Sequence, residues 1–252
     1  MTMLITPLIA FLVCQGSTSS AATPPLKVCL VSGSFEYDSH TSLAAFKKYL
    51  EEHYNAQCTL VKARSFNCLP GLEALDQCEV ALFFTRRLTI AGEPLERIKK
   101  YCLAGRPIVA VRTASHGFQN WLEFDQLVLG GNYHGHYPVG PTTKVEISPE
   151  AKGHPLLEGI GPMQSTASLY KTAPLAPDCQ LLMTGSTPES KGWEPVAWTR
   201  LFKGARVFYT SLGAPQDFAN ETFRRLLVNA LFWTAKRRVE HKATPDRSPA
   251  EC

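Results

Sequence analysis

Short apolar runs alternate with helical patterns through the first half of the chain. Continuous apolar runs typical of buried strands lie at residues 27–32, 59–63, 79–84 and 107–111. The spacing of apolar residues predicts helices at residues 41–54, 70–75, 94–103 and 118–129. Strands that are apolar throughout and alternate with helices are typical of a parallel sheet covered on both faces. The pattern therefore predicts an α/β, flavodoxin-like fold, with helices flanking the sheet.

The second half of the chain is less regular and predicts additional β-structure. Further strands are predicted at residues 143–147, 180–184, 195–199 and 206–210. The last two are joined through residues 202–204, which resemble a hairpin turn. An amphipathic pattern at 218–236 predicts a final helix that closes the sheet. Because no internal repeat or linker divides the chain, we predict one α/β domain over residues 26–235 and a disordered polar tail at 240–252.

Composition indicates a globular protein and argues against one class of partner, nucleic acid. Apolar residues make up 44% and charged residues 19%, which excludes a disordered or fibrous chain. The net charge is only +4, and no basic patch is interleaved with aromatic residues, so we expect no nucleic-acid partner. No run approaches the ~18–20 consecutive apolar residues of a membrane-spanning helix. The oligomeric state stays open at this level.

The amino-terminal residues resemble a secretory signal. Residues 3–14 form a short apolar run, and Ser20-Ala21-Ala22 then supplies the small residues that a signal peptidase needs. No Lys or Arg precedes the run, so an ordinary leading extension on a cytoplasmic protein is the alternative. We predict a cleaved signal peptide over residues 1–22 and a periplasmic or secreted protein.

Seven of the eight cysteines remain after this leader is removed. No pair has C-x-x-C spacing, which excludes a zinc knuckle and a thioredoxin-type motif. Cys29 and Cys78 lie inside apolar, strand-like runs and are expected to be buried thiols. If the protein is exported, one disulfide among Cys58, Cys68 and Cys102 is compatible with the sequence.

The turn after the fourth predicted strand is the first candidate for chemistry. In open parallel sheets, ligands bind beyond the carboxyl ends of the strands. Thr113-Ala-Ser-His-Gly117 differs from the G-x-S-x-G nucleophile elbow only at its first glycine, and a helix is predicted to follow. A serine hydrolase that uses Ser115, with His116 beside it, is therefore one hypothesis.

The same turn resembles the G-x-C-x-G-x-Q turn of class I glutamine amidotransferases. Ser115 stands in place of the cysteine, and Gln119 is retained. Those enzymes also carry an H-P-E segment after a late strand. The matching place here holds Ala214 and Gln216 instead of the histidine and the glutamate. The resemblance therefore implies a class I glutamine amidotransferase-like fold without glutaminase activity.

A wider resemblance covers residues 26–233. Its segments are Phe118-Gln-Asn-Trp121, Gly130-Gly-Asn-Tyr-His-Gly-His136, His154-Pro-Leu156, Glu194-Pro-Val-Ala-Trp198, 204–213 and 217–233. In order and spacing they resemble the ThuA (trehalose utilisation) family, a branch of the amidotransferase-like fold that lacks the amidotransferase triad. This resemblance implies a small-molecule partner, a glucose-derived carbohydrate such as a 3-keto-glucoside. It also implies, for some relatives, a divalent metal such as zinc or manganese.

Two kinds of function fit this resemblance. One is a sugar-processing hydrolase or lyase. Many relatives place a histidine where this chain has Ala214, so the alternative is a non-catalytic carbohydrate-binding or interaction module on a degenerate enzyme fold.

Three histidines are candidates for the site. His134 and His136 are two residues apart, so in an extended segment both side chains lie on one side. Together with His116 they supply three imidazoles, a set that suits zinc or a similar ion with an open position. The alternatives are sugar contact or acid–base catalysis by these imidazoles, or hydrogen bonds to the backbone of a glycine-rich loop.

Acidic residues follow the first predicted strand. Glu36 and Asp38 lie at its carboxyl end, where their carboxylates could move protons on a sugar hydroxyl or carbonyl. Asp38 or Ser39 could equally cap the helix that follows. We hypothesise that His116 or His136 polarises a keto-sugar carbonyl, alone or through a metal, while a carboxylate of this loop moves a proton.

Further polar and aromatic residues complete the predicted binding set. Arg112 ends a buried strand, where its charge needs a ligand or a carboxylate such as Asp217 or Glu36. Aromatic faces suit the apolar side of a sugar ring, which makes Tyr133 a candidate for stacking. The predicted substrate-binding residues are Arg112, Ser115, Tyr133, His134 and Asp217.

Overall fold

Residues 23–242 are described by the structure, a computed structural model. The strands are β1 Leu26–Gly33, β2 Ala56–Lys62, β3 Val80–Thr85, β4 Ile108–Val111, β5 Thr143–Ile147, β6 Met163–Ser165, β7 Gln180–Ser186, β8 Glu194–Phe202 and β9 Ala205–Thr210. The α-helices are α1 Ser39–His53, α2 Glu93–Leu103 and α3 Glu221–Thr234. The strands form one mixed sheet in the order β2-β1-β3-β4-β9-β8-β7-β5-β6.

Strands β2, β1, β3, β4 and β9 form the parallel half of the sheet. β3 and β4 are buried over their whole length, as their uninterrupted apolar sequences predict. Side chains of β3 alternate between two cores, because Leu82 packs with α1 and α3 whereas Phe83 packs with α2. Helices therefore cover both faces here, and the predicted α/β fold is confirmed.

Strands β8, β7, β5 and β6 extend the sheet as its antiparallel half. β8 joins β9 through Lys203 and Gly204, whose φ angles of 49° and 81° suit a type I′ hairpin turn. The predicted hairpin and the additional β-structure are therefore confirmed. β6 has three residues, which is too short for a recognisable pattern of apolar positions in the sequence.

The predicted helix at 118–129 is wrong over its first half. A single π-helical turn, Phe124–Leu129, forms within this range. Phe118 makes a β-bridge with Leu88, and its ring lies 5.3 Å from that of Phe124. These packing contacts override the local helical pattern of the sequence.

The predicted helix at 218–236 is divided in the structure. A 3-10 turn occupies Asp217–Ala219, and α3 begins after it. The reason is Asn220, whose Oδ1 accepts a hydrogen bond from Thr222 N at 2.9 Å and so caps the new helix.

The six cysteines among residues 23–242 are free thiols. Cys29 and Cys78 are buried, as predicted. The disulfide considered among Cys58, Cys68 and Cys102 does not form. Cys58 is buried in β2 and Cys102 in α2, whereas Cys68 is exposed in a loop.

The sequence continues beyond the described residues at both ends. The predicted signal peptide, residues 1–22, lies outside them, so export stays a prediction. The predicted tail is described only at residues 240–242, where Glu240 O accepts a hydrogen bond from Asn55 N at 2.8 Å and His241 makes a β-bridge with Tyr54. From residue 23 to residue 242, no helix has the length and apolarity needed to cross a membrane.

Candidate functional site

The carboxyl ends of β1, β3 and β4 meet at one edge of the parallel half. Beside this edge, the His116 ring stacks on that of Tyr133, with centroids 4.3 Å apart and planes inclined by 19°. The Tyr133 ring lies 4.6 Å from the Tyr170 ring. We call His116, Tyr133 and Tyr170 the aromatic cluster. It connects the turn after β4 to two segments from the second half of the chain.

The turn after β4 does not have the predicted elbow geometry. Arg112, directly after the strand, has a left-handed backbone with a φ of 48°, and a 3-10 turn continues to His116. A nucleophile elbow places its nucleophile at the sharp, strained position of the turn. Here that position belongs to Arg112, three residues before Ser115. Ser115 Oγ is buried, 3.3 Å from Arg112 O and 3.1 Å from His116 Nδ1.

Arg112 is buried among neutral groups, with a side chain that is 1% exposed. Its guanidinium lies between the rings of Tyr37 and Tyr170, 4.6 Å and 4.3 Å from their centroids. Nη1 donates to Ser211 O at 2.6 Å, and Nη2 donates to Ser168 Oγ at 3.0 Å and to Tyr37 Oη at 3.1 Å. Arg112 Nε has no hydrogen-bond partner among the described residues. The charge is therefore held by dipoles and aromatic faces.

Among the partners considered for Arg112, Asp217 does not form an ion pair with it. Asp217 Oδ2 accepts hydrogen bonds from Gly213 N at 2.8 Å, Ala214 N at 2.9 Å and Ser165 Oγ at 2.8 Å. Burial raises the pKa of Asp217, and these donors oppose the rise. Asp217 thus organises the loop after β9. Ala214, whose backbone N–H is one of these donors, belongs to the same loop.

The acidic loop after β1 also differs from the prediction. Glu36 pairs with Arg86 at 2.5 Å and leaves Arg112 without a carboxylate. Asp38 caps α1, because its Oδ1 accepts a hydrogen bond from Thr41 N at 3.4 Å, which confirms the structural alternative for this residue. Glu36 is therefore the acidic residue of this loop that remains available for chemistry, with a side chain that is half exposed.

His116 is neutral in this environment. Burial lowers the pKa of its imidazole to about 3, and the positive charges of Arg86, Arg87 and Arg112 act in the same direction. At ordinary pH the ring therefore offers one N–H donor and one acceptor nitrogen rather than a positive charge.

The other two candidate histidines are exposed. His134 Nδ1 lies 2.7 Å from Asn132 O, and His136 Nδ1 lies 2.7 Å from Tyr137 O. The His136 ring is 6.4 Å from that of Tyr170 and also acts on the pKa of His116, so it borders the aromatic cluster. The His134 ring, by contrast, stacks on none of the three rings of the aromatic cluster.

The predicted metal site is not formed. Over residues 23–242, no group of three His, Cys, Asp or Glu side chains converges in the way that a metal ion requires. His134 and His136 are each held at Nδ1 by a backbone carbonyl, Asn132 O and Tyr137 O. The residues present therefore do not fit a zinc or manganese ion held by His116, His134 and His136.

The sequence of this chain matches that of the ThuA family, described as trehalose utilisation, over residues 27–234. The chain belongs to the ThuA family. Membership suggests a carbohydrate-related function. No protein with a curated description matches the chain significantly.

Solved structures show the same fold. A ThuA-like protein from Bacteroides uniformis is 19% identical with a TM-score of 0.64, and the match covers 87% of this chain and 95% of that one. A ThuA-like protein from Parabacteroides merdae is 17% identical with a TM-score of 0.65, covering 88% and 94%. A glutamine amidotransferase from Thermotoga maritima is 10% identical with a TM-score of 0.50, covering 84% and 98%.

Several residues of this ThuA-family site were missed by the sequence reasoning. Arg86 and Arg87 follow β3 just as Arg112 follows β4, so a charge at the end of an apolar run was the available signal. Tyr37 and Tyr170 gave no signal of their own, because only the tertiary fold places their rings on either side of Arg112.

Asp125 is a positioning residue that was also missed. Its Oδ2 accepts a hydrogen bond from Tyr133 N at 2.8 Å, whereas its buried Oδ1 has no partner among the described residues. Burial raises the pKa of Asp125 to about 6. A Cβ on Gly131 would lie 2.6 Å from Asp125 Oδ1 and 2.9 Å from Trp198 Cζ2, so only glycine fits there. Asp125 thus holds the loop that presents Tyr133 to His116.

Proposed function

We propose that this ThuA-family protein binds a glucose-derived carbohydrate at the aromatic cluster. The observation that carries the proposal is the stack of His116 on Tyr133, 4.3 Å apart, beside the carboxyl edge of the parallel strands. Ligands of open α/β sheets bind at this edge. Aromatic rings offer large apolar faces, which suit the apolar face of a pyranose, and the neighbouring imidazole supplies a polar atom for its hydroxyls.

The neutral state of His116 suggests its part in chemistry. A pKa of about 3 makes the imidazole a weak base but a good hydrogen-bond donor without charge. A neutral histidine can polarise a carbonyl group by donating its N–H to the oxygen. The carbonyl that His116 would polarise in this way is that of a keto-sugar such as a 3-keto-glucoside. Glu36, half exposed and paired with Arg86, is the proposed proton carrier.

A second candidate is carbohydrate binding without catalysis. It is favoured by Ala214, which stands where the amidotransferases have their histidine and is bonded through its backbone to Asp217. Ser115 is not proposed as a nucleophile, because its Oγ is buried and points back to Arg112 O at 3.3 Å. Nor do we propose glutaminase activity.

The test is a binding titration on the purified protein, followed by a turnover assay on the same samples. Trehalose, related glucosides and their 3-keto forms would be titrated after chelation, and again with zinc, manganese or magnesium restored. We expect saturable binding that is at least tenfold weaker in His116→Ala and Tyr133→Ala variants that melt like the wild type. His134→Ala is the matched control and should bind normally, because its imidazole is exposed and bonded to Asn132 O.

Each result decides something. Unchanged binding in both the His116 and the Tyr133 variants would refute the proposed site. Loss of binding in His134→Ala together with a requirement for a metal would restore the metal triad. Turnover of a 3-keto-glucoside would favour the enzyme, whereas saturable binding without turnover would favour the non-catalytic candidate.

A further inference from the structure

Three arginines surround the candidate site with little opposing charge. Arg86 and Arg87 follow β3, Arg112 follows β4, and all three lower the pKa of His116. Glu36 forms an ion pair with Arg86. For Arg87 and Arg112, residues 23–242 supply no carboxylate within ion-pair distance. The edge of the sheet that faces the aromatic cluster is therefore positively charged.

The remaining carboxylates near the cluster do not neutralise this charge. Arg112 lowers the pKa of Asp217 but donates no hydrogen bond to it, since Asp217 Oδ2 is occupied by three other donors. Asp125 lies behind Tyr133, bonded to its backbone N–H, and burial favours its uncharged form. Asp38 is committed to the first turn of α1.

Two of the arginines are also held in strained backbone conformations. Arg87 and Arg112 have φ angles of 47° and 48°, in the left-handed region that residues other than glycine rarely adopt. Such residues concentrate at ligand sites, where the surrounding structure maintains them. Arg87 is exposed, and its backbone N–H donates to His116 O at 2.9 Å, which fixes its Cα next to the cluster.

We propose that the carbohydrate bound at the aromatic cluster carries an anionic group, a carboxylate or a phosphate, which Arg87 binds directly. This inference rests on the proposed function and narrows its substrate class. The planar guanidinium can bind either group with two parallel hydrogen bonds. Arg112 is too deeply buried to contact the ligand. Its uncompensated charge attracts the anion through a low-dielectric interior, where charges are screened less than in water.

A neutral sugar would leave this arrangement unexplained. Burying a guanidinium without a counter-ion is costly. Aromatic rings that only stack on glucose would not need a buried guanidinium beside them. An anion close to His116 would offset the positive charges of Arg87 and Arg112, which have no carboxylate partner among residues 23–242. Binding of the anion should therefore raise the pKa of His116. At acidic pH the ring would then take up a proton, and its ring-proton NMR signals should move downfield.

The experiment compares the binding of charged and neutral sugars to the purified full-length protein. Glucuronate, glucose 6-phosphate, glucose, and inorganic phosphate with acetate as sugar-free anions would be titrated by calorimetry at low and at moderate salt. We expect glucuronate or glucose 6-phosphate to bind at least tenfold tighter than glucose, and the preference to shrink as salt rises. The carboxylate and phosphate arms distinguish the two anions.

The decisive variant is Arg87→Gln, and its matched control is Lys203→Gln. Lys203 is also an exposed cation with a left-handed backbone, at φ 49°, but it lies in the β8–β9 hairpin at the opposite edge of the parallel half. In Arg87→Gln, the affinity ratio of the charged sugar to glucose should fall toward one. In Lys203→Gln, it should keep its wild-type value.

Four outcomes would overturn the inference. A wild-type affinity ratio in Arg87→Gln would show that Arg87 does not bind the anionic group. Equal affinity for glucose and both charged sugars would show that the site does not select an anionic group. The proposed carbohydrate binding would then still hold. Binding of phosphate or acetate alone as tightly as the charged sugar would show an anion site that does not recognise carbohydrate. An absence of binding by every sugar, charged or neutral, would overturn both this inference and the proposed function.

Discussion

The two halves of the sheet contribute to the candidate site in different ways. The parallel half supplies its charged groups, because β3 and β4 end at the same edge and Arg86, Arg87 and Arg112 follow them directly. The antiparallel half supplies no strand end to this cluster. Connections between strands bring in Tyr133 and Tyr170 instead. The charged groups are therefore brought together because parallel strands end at the same edge. The tyrosines reach the same place because loops of the second half pack against that edge.

One glycine from each region shows how the space around the backbone can differ. Gly213 lies in the loop after β9, and Gly135 lies in the connection between Tyr133 and β5. Both have a φ of 126°. A Cβ on Gly213 would lie 2.6 Å from Val111 Cγ1, whereas a Cβ on Gly135 would meet nothing within 4 Å. These two glycines therefore share one backbone conformation but differ in the space around them, which the first pair of variants tests.

The largest expected effect is that of Gly213→Ala compared with Gly135→Ala. Both variants strain the backbone by roughly 1–2 kcal/mol. Only Gly213→Ala adds a collision with β4, worth about 1–3 kcal/mol more. Urea unfolding of the two variants should give the difference directly. Equal losses of stability would mean that the contact with Val111 does not make Gly213 less tolerant of a side chain than Gly135.

Arg112→Met should have the next largest effect, about 2–4 kcal/mol. It leaves Ser211 O and Ser168 O without their donor, and an unsatisfied buried acceptor costs about 1–3 kcal/mol. Arg200→Met is the counterpart in the antiparallel half, where Arg200 pairs with Asp178 at 2.8 Å. High salt should reduce the Arg200 loss but not the Arg112 loss, because only Arg200 has an ion-pair partner within residues 23–242. Equal salt sensitivity in urea unfolding would contradict this account.

His116→Gln should change how stability depends on pH. The folded pKa of about 3 lies below the unfolded value near 6.5, so the unfolded chain binds the proton first and the wild type loses stability as pH falls below 6.5. Between pH 7 and 5 this loss is about 1–2 kcal/mol, and His116→Gln should abolish it. His154→Gln is the control in the antiparallel half, where a smaller lowering of the pKa by partial burial predicts a weaker effect. Parallel pH profiles of His116→Gln and the wild type would refute the buried, neutral imidazole.

Asp125→Asn should change the same profile in the opposite direction and by less, about 1 kcal/mol. The folded pKa of about 6 lies above the unfolded value, so the folded chain keeps its proton longer and stability falls as pH rises from about 4 to 6. This slope opposes that of His116, and its removal should make the acid loss of Asp125→Asn steeper than that of the wild type. A flatter profile would show that Asp125 is charged at pH 5. Urea midpoints at pH 5, 6 and 7 measure both variants.

Local sequence patterns were sufficient for the regular elements and for part of the site. The apolar runs of β1, β3 and β4 and the turn at Lys203-Gly204 depend on neighbours in the chain, and they were predicted. The helix predicted at 118–129 was wrong over its first half, because Phe118 and Phe124 pack on Phe83 of β3. Ser115 was placed at the elbow by its motif, but the backbone angles that define an elbow arise only when β4 meets the loops around it.

The sequence by itself determined the parallel α/β core and the charged and imidazole groups at its strand ends. These properties follow from which residues are apolar and in what order, and burial of apolar surface is insensitive to direction. The tertiary structure alone decided that Arg112 lies between two tyrosines without a carboxylate, that Asp217 turns to its own loop, and that His116 stacks on Tyr133. Hydrogen bonds and ion pairs are directional and short-ranged, so their partners are fixed only when distant segments of the chain are packed together.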